Sequence, residues 1–186
     1  MRLFIITLFI IALAAVSSLA QGKELYPSQD LIEHIKKTEG FRACAYKDFK
    51  ANAIGYGTQN WEDGTPVQLT TKKGKKVCIT EQRATELLLY FVYFKSGQID
   101  AWSKQFKVKL NQNEFDAVVG FVYNLGYNTF RKSSIAKNLR LKNKPAAAES
   151  FLSYVKAGGK ELNGLKIRRQ YEKELFLTKP KKGKKK

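Results

Sequence analysis

Two carboxylates, Glu39 and Asp48, stand nine residues apart in a chain of 186 residues. A pair of this kind suits bond cleavage by proton transfer. One carboxyl keeps its proton for a poor leaving group, and the other stays ionised to steady positive charge or to assist a water. Rival chemistries are poorly supplied. His34 is the only histidine and Cys44 and Cys78 the only cysteines, so no zinc, haem or iron–sulfur site can be built from them, and no cofactor is expected. Neither thiol has a histidine near it in sequence to make it a nucleophile. Spacing by itself decides little, because 16 acids scattered along the chain produce such pairs by chance, and two solvated surface carboxylates would look the same.

The elements that must position the pair follow from periodicity. Ser28 suits the N-cap of a helix whose apolar Leu31, Ile32 and Ile35 recur at helical spacing, and Gly40 suits its end, which puts Glu39 at the helix exit. From Phe41 to about Gln68 the helical period is lost, Gly55, Gly57 and Gly64 intervene, and Asp63-Gly64 signals a turn. A small sheet carrying Asp48 is expected there. Thr80 then opens a helix bearing Leu87, Leu88, Phe91 and Phe94, and Asn111 with Glu114 forms a capping-box signature ahead of the stripe Phe115, Val118, Val119, Val122 and Leu125. Shorter helices are expected over 133–141, over 145–156 with Gly158-Gly159 as the stop, and over 164–177. The fold class is therefore α+β and mostly α. A small β-sheet lobe and a larger helical lobe should leave a cleft between them, where ligand sites tend to lie.

Residues 1–20 read as an export signal rather than as part of the fold. Met1-Arg2 gives a positive start, Leu3 to Val16 an apolar run, and Ser18-Leu19-Ala20 a small-x-small cleavage site, so the mature chain would begin at Gln21. A retained anchor competes with this, since Leu3 to Ala20 is just long enough to span a bilayer. The folded domain is expected over 21–178. The lysine-rich 179–186 has nothing apolar to bury and reads as a disordered tail. The formal charge is +18, concentrated in that tail and in Lys72-Lys73-Gly74-Lys75-Lys76. For an exported monomer such charge suits capture by anionic cell walls or lipid surfaces. No nucleic-acid partner is expected, because no recognition motif accompanies the lysines. In an oxidising compartment Cys44 and Cys78 most simply pair, closing a loop worth roughly 3 to 4 kcal/mol on chain-entropy grounds.

What lifts Glu39 and Asp48 above chance is their surroundings. Glu39-Gly40-Phe41-Arg42, Ala45-Tyr46-Lys47-Asp48 and Ile54-Gly55-Tyr56-Gly57 closely resemble the phage-type lysozymes, or endolysins. Leu110 to Ala117 and Phe121 to Gly126 look like that family's central helix, Phe130-Arg131-Lys132-Ser133-Ser134 like the turn after it, and Ala157 to Lys160 with Gly164-Leu165 and Arg168-Arg169 like its C-terminal signature. These blocks follow in the family's order and cover nearly the whole mature chain. The resemblance implies a lysozyme-like fold and hydrolysis of the β-1,4 bond between N-acetylmuramic acid and N-acetylglucosamine in bacterial peptidoglycan. It also implies Glu39 as general acid and Asp48 as the group that positions or activates water, in keeping with two-carboxylate glycoside hydrolysis.

One departure matters. The family normally has a threonine immediately before Ile-Gly-x-Gly to hold the reacting water, whereas Ala53 stands there and the interval from Asp48 is one residue shorter. Misplacing a reacting water by about 1 Å costs on the order of a hundredfold in rate. Asn52, or Thr58 in place of a common family histidine, are the polar substitutes. By the same resemblance Asn124 sits near a substrate-contacting amide position, and Arg168 or Arg169 where a cation stands near the acid. Tyr56, Trp61 and Tyr127 are candidates for stacking on sugars, although most aromatics in such a domain are core. His34 reads as structural. Two other readings compete with a secreted muramidase: a catalytically impaired cationic protein that binds walls or attacks membranes as an antimicrobial, and an endolysin tethered by its apolar N-terminus.

Overall fold

The computed structural model describes residues 24–48 and 51–180. The expected signal at 1–20, the mature start at Gln21 and most of the lysine tail lie outside the described residues. Among the described residues no helix is long and apolar enough to cross a membrane.

Helix α1, Gln29–Glu39, begins where Ser28 Oγ accepts from the Leu31 amide and ends at Gly40, whose φ of 69° strains any residue with a Cβ. Its buried face of Leu31, Ile32 and Ile35 packs into the main core. The chain then forms an antiparallel hairpin, β1 (Arg42–Lys47) and β2 (Asn52–Gly55), pairing Lys47 with Asn52 and Tyr46 with Ala53 and irregular between Tyr46 and Arg42. Beyond β2 the small lobe is held by isolated bridges: Ile54 with Thr58, Asn60 with Pro66, and Thr70 with Lys76. The expected turn at Asp63-Gly64 is present, with Asp63 Oδ1 accepting from the Thr65 amide at 2.9 Å. A Cys44–Cys78 disulfide closes the lobe, flanked by Ala45 N–H to Val77 O and Ile79 N–H to Ala43 O, both at 2.8 Å.

The larger lobe opens with α2, Glu81–Gln105, capped by Thr80. Its buried positions include Leu87, Leu88, Val92, Ile99 and Trp102. Of the apolar residues on this helix, Phe94 is 57% exposed and Phe91 only partly buried. The run from Leu87 to Phe94 is apolar on every face, so its pattern does not say which face turns inward. Helix α3, Gln112–Leu125, carries the expected capping box of Asn111 and Glu114 and is the most deeply buried helix, with Phe115, Val118, Val119, Phe121 and Val122 all enclosed. Short helices follow: α4 (Tyr127–Arg131), α5 (Ser134–Arg140) and α6 (Lys144–Ser150). Helix α6 stops earlier than 156. A single 3₁₀ turn, Phe151–Ser153, leads instead into a hairpin, β3 (Lys156–Ala157) and β4 (Lys160–Glu161). Gly158 and Gly159 both have positive φ and form its two-residue turn, a use of Gly-Gly that competes with ending a helix. Helix α7, Asn163–Leu177, closes the fold against α3.

Candidate active site

Between the lobes lies a cleft of about 550 Å³, and both Glu39 and Asp48 line it. They reach it from opposite sides. Glu39 is the last residue of α1, anchored in the helical body, whereas Asp48 follows β1 on the hairpin, where its N–H donates to Ala51 O at 2.9 Å. Asp48 is exposed, and the Glu39 side chain is 19% exposed. Arg168 Nη1 donates to Glu39 Oε1 at 2.5 Å, and burial, which opposes the Arg168 charge, is outweighed by this bond, so the guanidinium is held still more firmly protonated. On the other side of the carboxyl lies Gly57, where a Cβ would make ordinary contact 3.5 Å from Glu39 Oε2 but where a φ of 82° favours glycine.

The two arginines divide the expected supporting role. Arg168 alone meets Glu39. Arg169 is fully buried, pairs with Glu172 at 2.6 Å and donates to Asn124 Oδ1 at 3.1 Å. Burial pushes the Glu172 carboxyl up and the Arg169 guanidinium down from their ordinary values, although each favours the other's charge. Asn124, at the end of α3, lines the cleft with its amide oxygen fixed by that bond.

Of the two substitutes for the missing threonine, Thr58 lines the cleft and is 5% exposed, held by paired backbone bonds with Ile54 at 2.9 and 3.0 Å. Asn52 does not take that role. Its amide donates to Val67 O at 3.0 Å and braces the following loop, and Ala53 beside it is wholly buried. Tyr56 is also not a sugar platform: it is 3% exposed, and its hydroxyl donates to Glu81 Oε1 at 2.8 Å. Tyr127 packs against Phe130 and beneath Arg131, and neither it nor Trp61 lines the cleft. His34 stacks on Tyr171 with ring centroids 3.5 Å apart, and burial, followed by the charges of Arg168 and Lys37, holds its imidazole below the usual value.

Several cleft residues escape sequence reasoning. Tyr123 lies beside Asn124 on the edge of the α3 stripe, donates its hydroxyl to Tyr56 O at 3.1 Å, and is pushed well above the ordinary phenol value by burial and then by the Glu39 charge. Its neighbour in sequence was the available signal. Phe91 and Lys95 reach the cleft from α2, and a single lysine ending an apolar run was the only hint of them. Among the described residues no cluster of His, Cys, Asp and Glu is arranged to hold a metal ion. The arrangement can instead deliver a proton from a fixed carboxyl to a group lying in the cleft, with a second carboxylate and a hydroxyl near the same space.

Comparisons with known proteins agree with this architecture. A family model described as phage lysozyme matches residues 36–172. The endolysin of Bacillus phage B103 is 38% identical over 154 residues, covering 81% of this chain, which spans only 54% of that relative. The endolysin of Salmonella phage P22 is 36% identical over 152 residues, covering 81% of this chain and 97% of the relative. Among solved structures, the endolysin from Escherichia coli O157:H7 phage FAHEc1 aligns with a TM-score of 0.70 at 32% identity, covering 87% of this chain and 99% of that one. With the family match across both lobes and a near full-length relative, the chain belongs to the phage lysozyme family.

Proposed function

We propose that this protein is a muramidase that hydrolyses the β-1,4 bond between N-acetylmuramic acid and N-acetylglucosamine in bacterial peptidoglycan. The observation that carries this is a single cleft in which Glu39, fixed by Arg168 at 2.5 Å, shares space with the exposed Asp48. Glu39 donates its proton to the bridging oxygen as the bond from the sugar C1 breaks. Asp48 steadies the oxocarbenium-like charge and accepts a proton from the water that adds to C1. Thr58, whose hydroxyl-bearing side chain lines the same cleft, helps hold that water, and Asn124 contacts the sugar. The Cys44–Cys78 bond supports export to an oxidising space, where a strongly cationic chain meets anionic walls as a monomer.

The test is mass spectrometry of purified peptidoglycan after incubation. New reducing ends at muramic acid are expected, and Glu39→Gln should reduce their release by about 10² to 10⁴-fold. Anhydro ends, cut peptide crosslinks, or bacterial killing that survives Glu39→Gln would overturn the proposal. The last result would favour a membrane-active cationic protein.

A further inference from the structure

The cleft holds more positive charge than the reaction needs. Arg42, Lys47 and Lys95 line it together with Glu39 and Asp48, and Arg168 already pairs with Glu39. Arg42 is occupied in another way, its guanidinium 4.3 Å from the Tyr46 ring centroid. Lys47 is exposed to solvent. Lys95 is different. It is partly buried in the middle of α2, one turn beyond Phe91 on the same cleft-facing side.

Exposed lysines of the helical lobe such as Lys107, Lys109 and Lys137 stand in water and need no partner, whereas the half-buried Lys144 and Lys173 have one. Lys104 pairs with Asp100, Lys144 with Glu114, Lys166 with Glu161 and Lys173 with Glu149. Among the described residues no carboxylate lies within salt-bridge distance of Lys95. Burial is the one influence on its ammonium and lowers its pKa, with no acid near enough to offset it. Drawing a lysine partly out of water without a partner costs free energy, and in a ligand cleft that cost is recovered when an anion enters. A neutral polysaccharide offers no such group.

We propose that Lys95 is an anion-recognition residue of the cleft, gripping a carboxylate that hangs from the glycan strand and so selecting acidic over neutral polysaccharides. This deepens the muramidase reading and rests on it, since it assumes that a glycan occupies the cleft. In peptidoglycan the carboxylate belongs to the stem peptide where one is attached, since the lactyl carboxyl of muramic acid is then tied up as an amide, and to the free lactyl group only where muramic acid is unsubstituted. Phe91 lies on the same face and supplies an apolar wall against which a sugar ring can lie while its pendant acid reaches the ammonium.

The experiment measures binding in a Glu39→Gln background, so that substrate is not consumed. Three glycans are used: intact peptidoglycan, strands stripped of stem peptides by an amidase, and strands whose carboxyls have been converted to neutral amides. Lys95→Met should weaken binding to intact peptidoglycan by about tenfold or more, the range for a hydrogen bond to a charged group. It should leave binding to the amidated strands unchanged, and Lys95→Arg should restore most of the loss. Stripping frees the lactyl carboxyl, so an effect that persists on stripped strands shows that Lys95 grips that group as well, and one that vanishes there shows that it grips the stem peptide alone. Equal weakening on acidic and amidated glycans, or no weakening on intact peptidoglycan, overturns the proposal. The muramidase reading is judged separately, by reducing ends released by the wild-type protein. Their absence sinks that reading, while their presence with no effect of Lys95→Met sinks only the role of Lys95.

Discussion

Arg168 reaches back across 129 residues of sequence to hold Glu39, joining the end of α1 to the first half of α7. The pair is only about one-fifth exposed, with the Arg168 and Glu39 side chains at 22% and 19%, so solvent competes weakly for the carboxyl. Its contribution is chiefly orientation. Arg168→Ala is expected to lower kcat by on the order of tenfold to a hundredfold, with a near-normal melting temperature. Arg168→Lys should recover only part of the rate, because an ammonium lacks the planar fork. Turnover at saturating peptidoglycan beside a thermal melt checks both. An unchanged kcat in Arg168→Ala would remove the positioning role.

Thr58 and Ala53 make opposite predictions. Thr58→Val keeps the shape and removes the hydroxyl of a residue that lines the cleft, and it should slow hydrolysis by roughly tenfold or more. Ala53→Thr restores the residue usual for the family, but at a position with no exposed surface. It should cost about 1 to 3 kcal/mol of stability by overpacking and bring no gain in rate. A faster Ala53→Thr enzyme would show that the hairpin can yield and that the water site lies nearer β2.

The buried Arg169–Glu172 pair offers a way to separate stability from activity. Glu172→Gln leaves a wholly buried guanidinium without its countercharge and should cost about 3 to 5 kcal/mol, a fall of roughly 10 °C in melting temperature. Replacing both partners at once, Arg169→Met with Glu172→Leu, should recover much of that loss. Activity should remain depressed, since Asn124 would still lack the donor that now lies 3.1 Å away. Calorimetry and turnover measured on the same proteins decide this.

His34 gives the fold a defined acid sensitivity. Burial against Tyr171, with Arg168 and Lys37 nearby, lowers its folded pKa below the ordinary 6.5. Just below pH 6.5 the unfolded chain therefore binds a proton that the native chain refuses, and stability declines as pH falls through that window. Above it the imidazole is neutral in both states and the penalty is absent. His34→Phe keeps a ring on Tyr171 without a titrating group. Its denaturation midpoint should change less than that of the wild type between pH 7.5 and 5.5, and an identical change would exclude His34 as the cause.

What sequence could and could not reveal divides along the distance over which each signal acts. The caps at Ser28, Thr80 and Asn111 are local, their donors three residues away, and all three helices start as expected. Glu39 and Asp48 were likewise tied to neighbouring elements, and the cleft brings both together. Which arginine meets Glu39 depends on the rotation of α7 against α3, and adjacent Arg168 and Arg169 point to different places for that reason. Tyr56 illustrates the limit for aromatics, because only its long-range bond to Glu81 shows that it is spent on the core. Phe94 shows the opposite case, placed outward by a helix whose sequence is apolar all round.

Because one acid rides on the helical body and its companion on a slender two-stranded arm, the gap between them is not built into either piece. The bond from Cys44 to Cys78 braces that arm against the chain leading into α2, and so acts as a strut on the jaw that carries Asp48. On the proposed mechanism, cutting the strut is expected to loosen the placing of Asp48 relative to Glu39 without altering either side chain. A reductant should then lower the release of reducing ends from peptidoglycan through lost alignment alone.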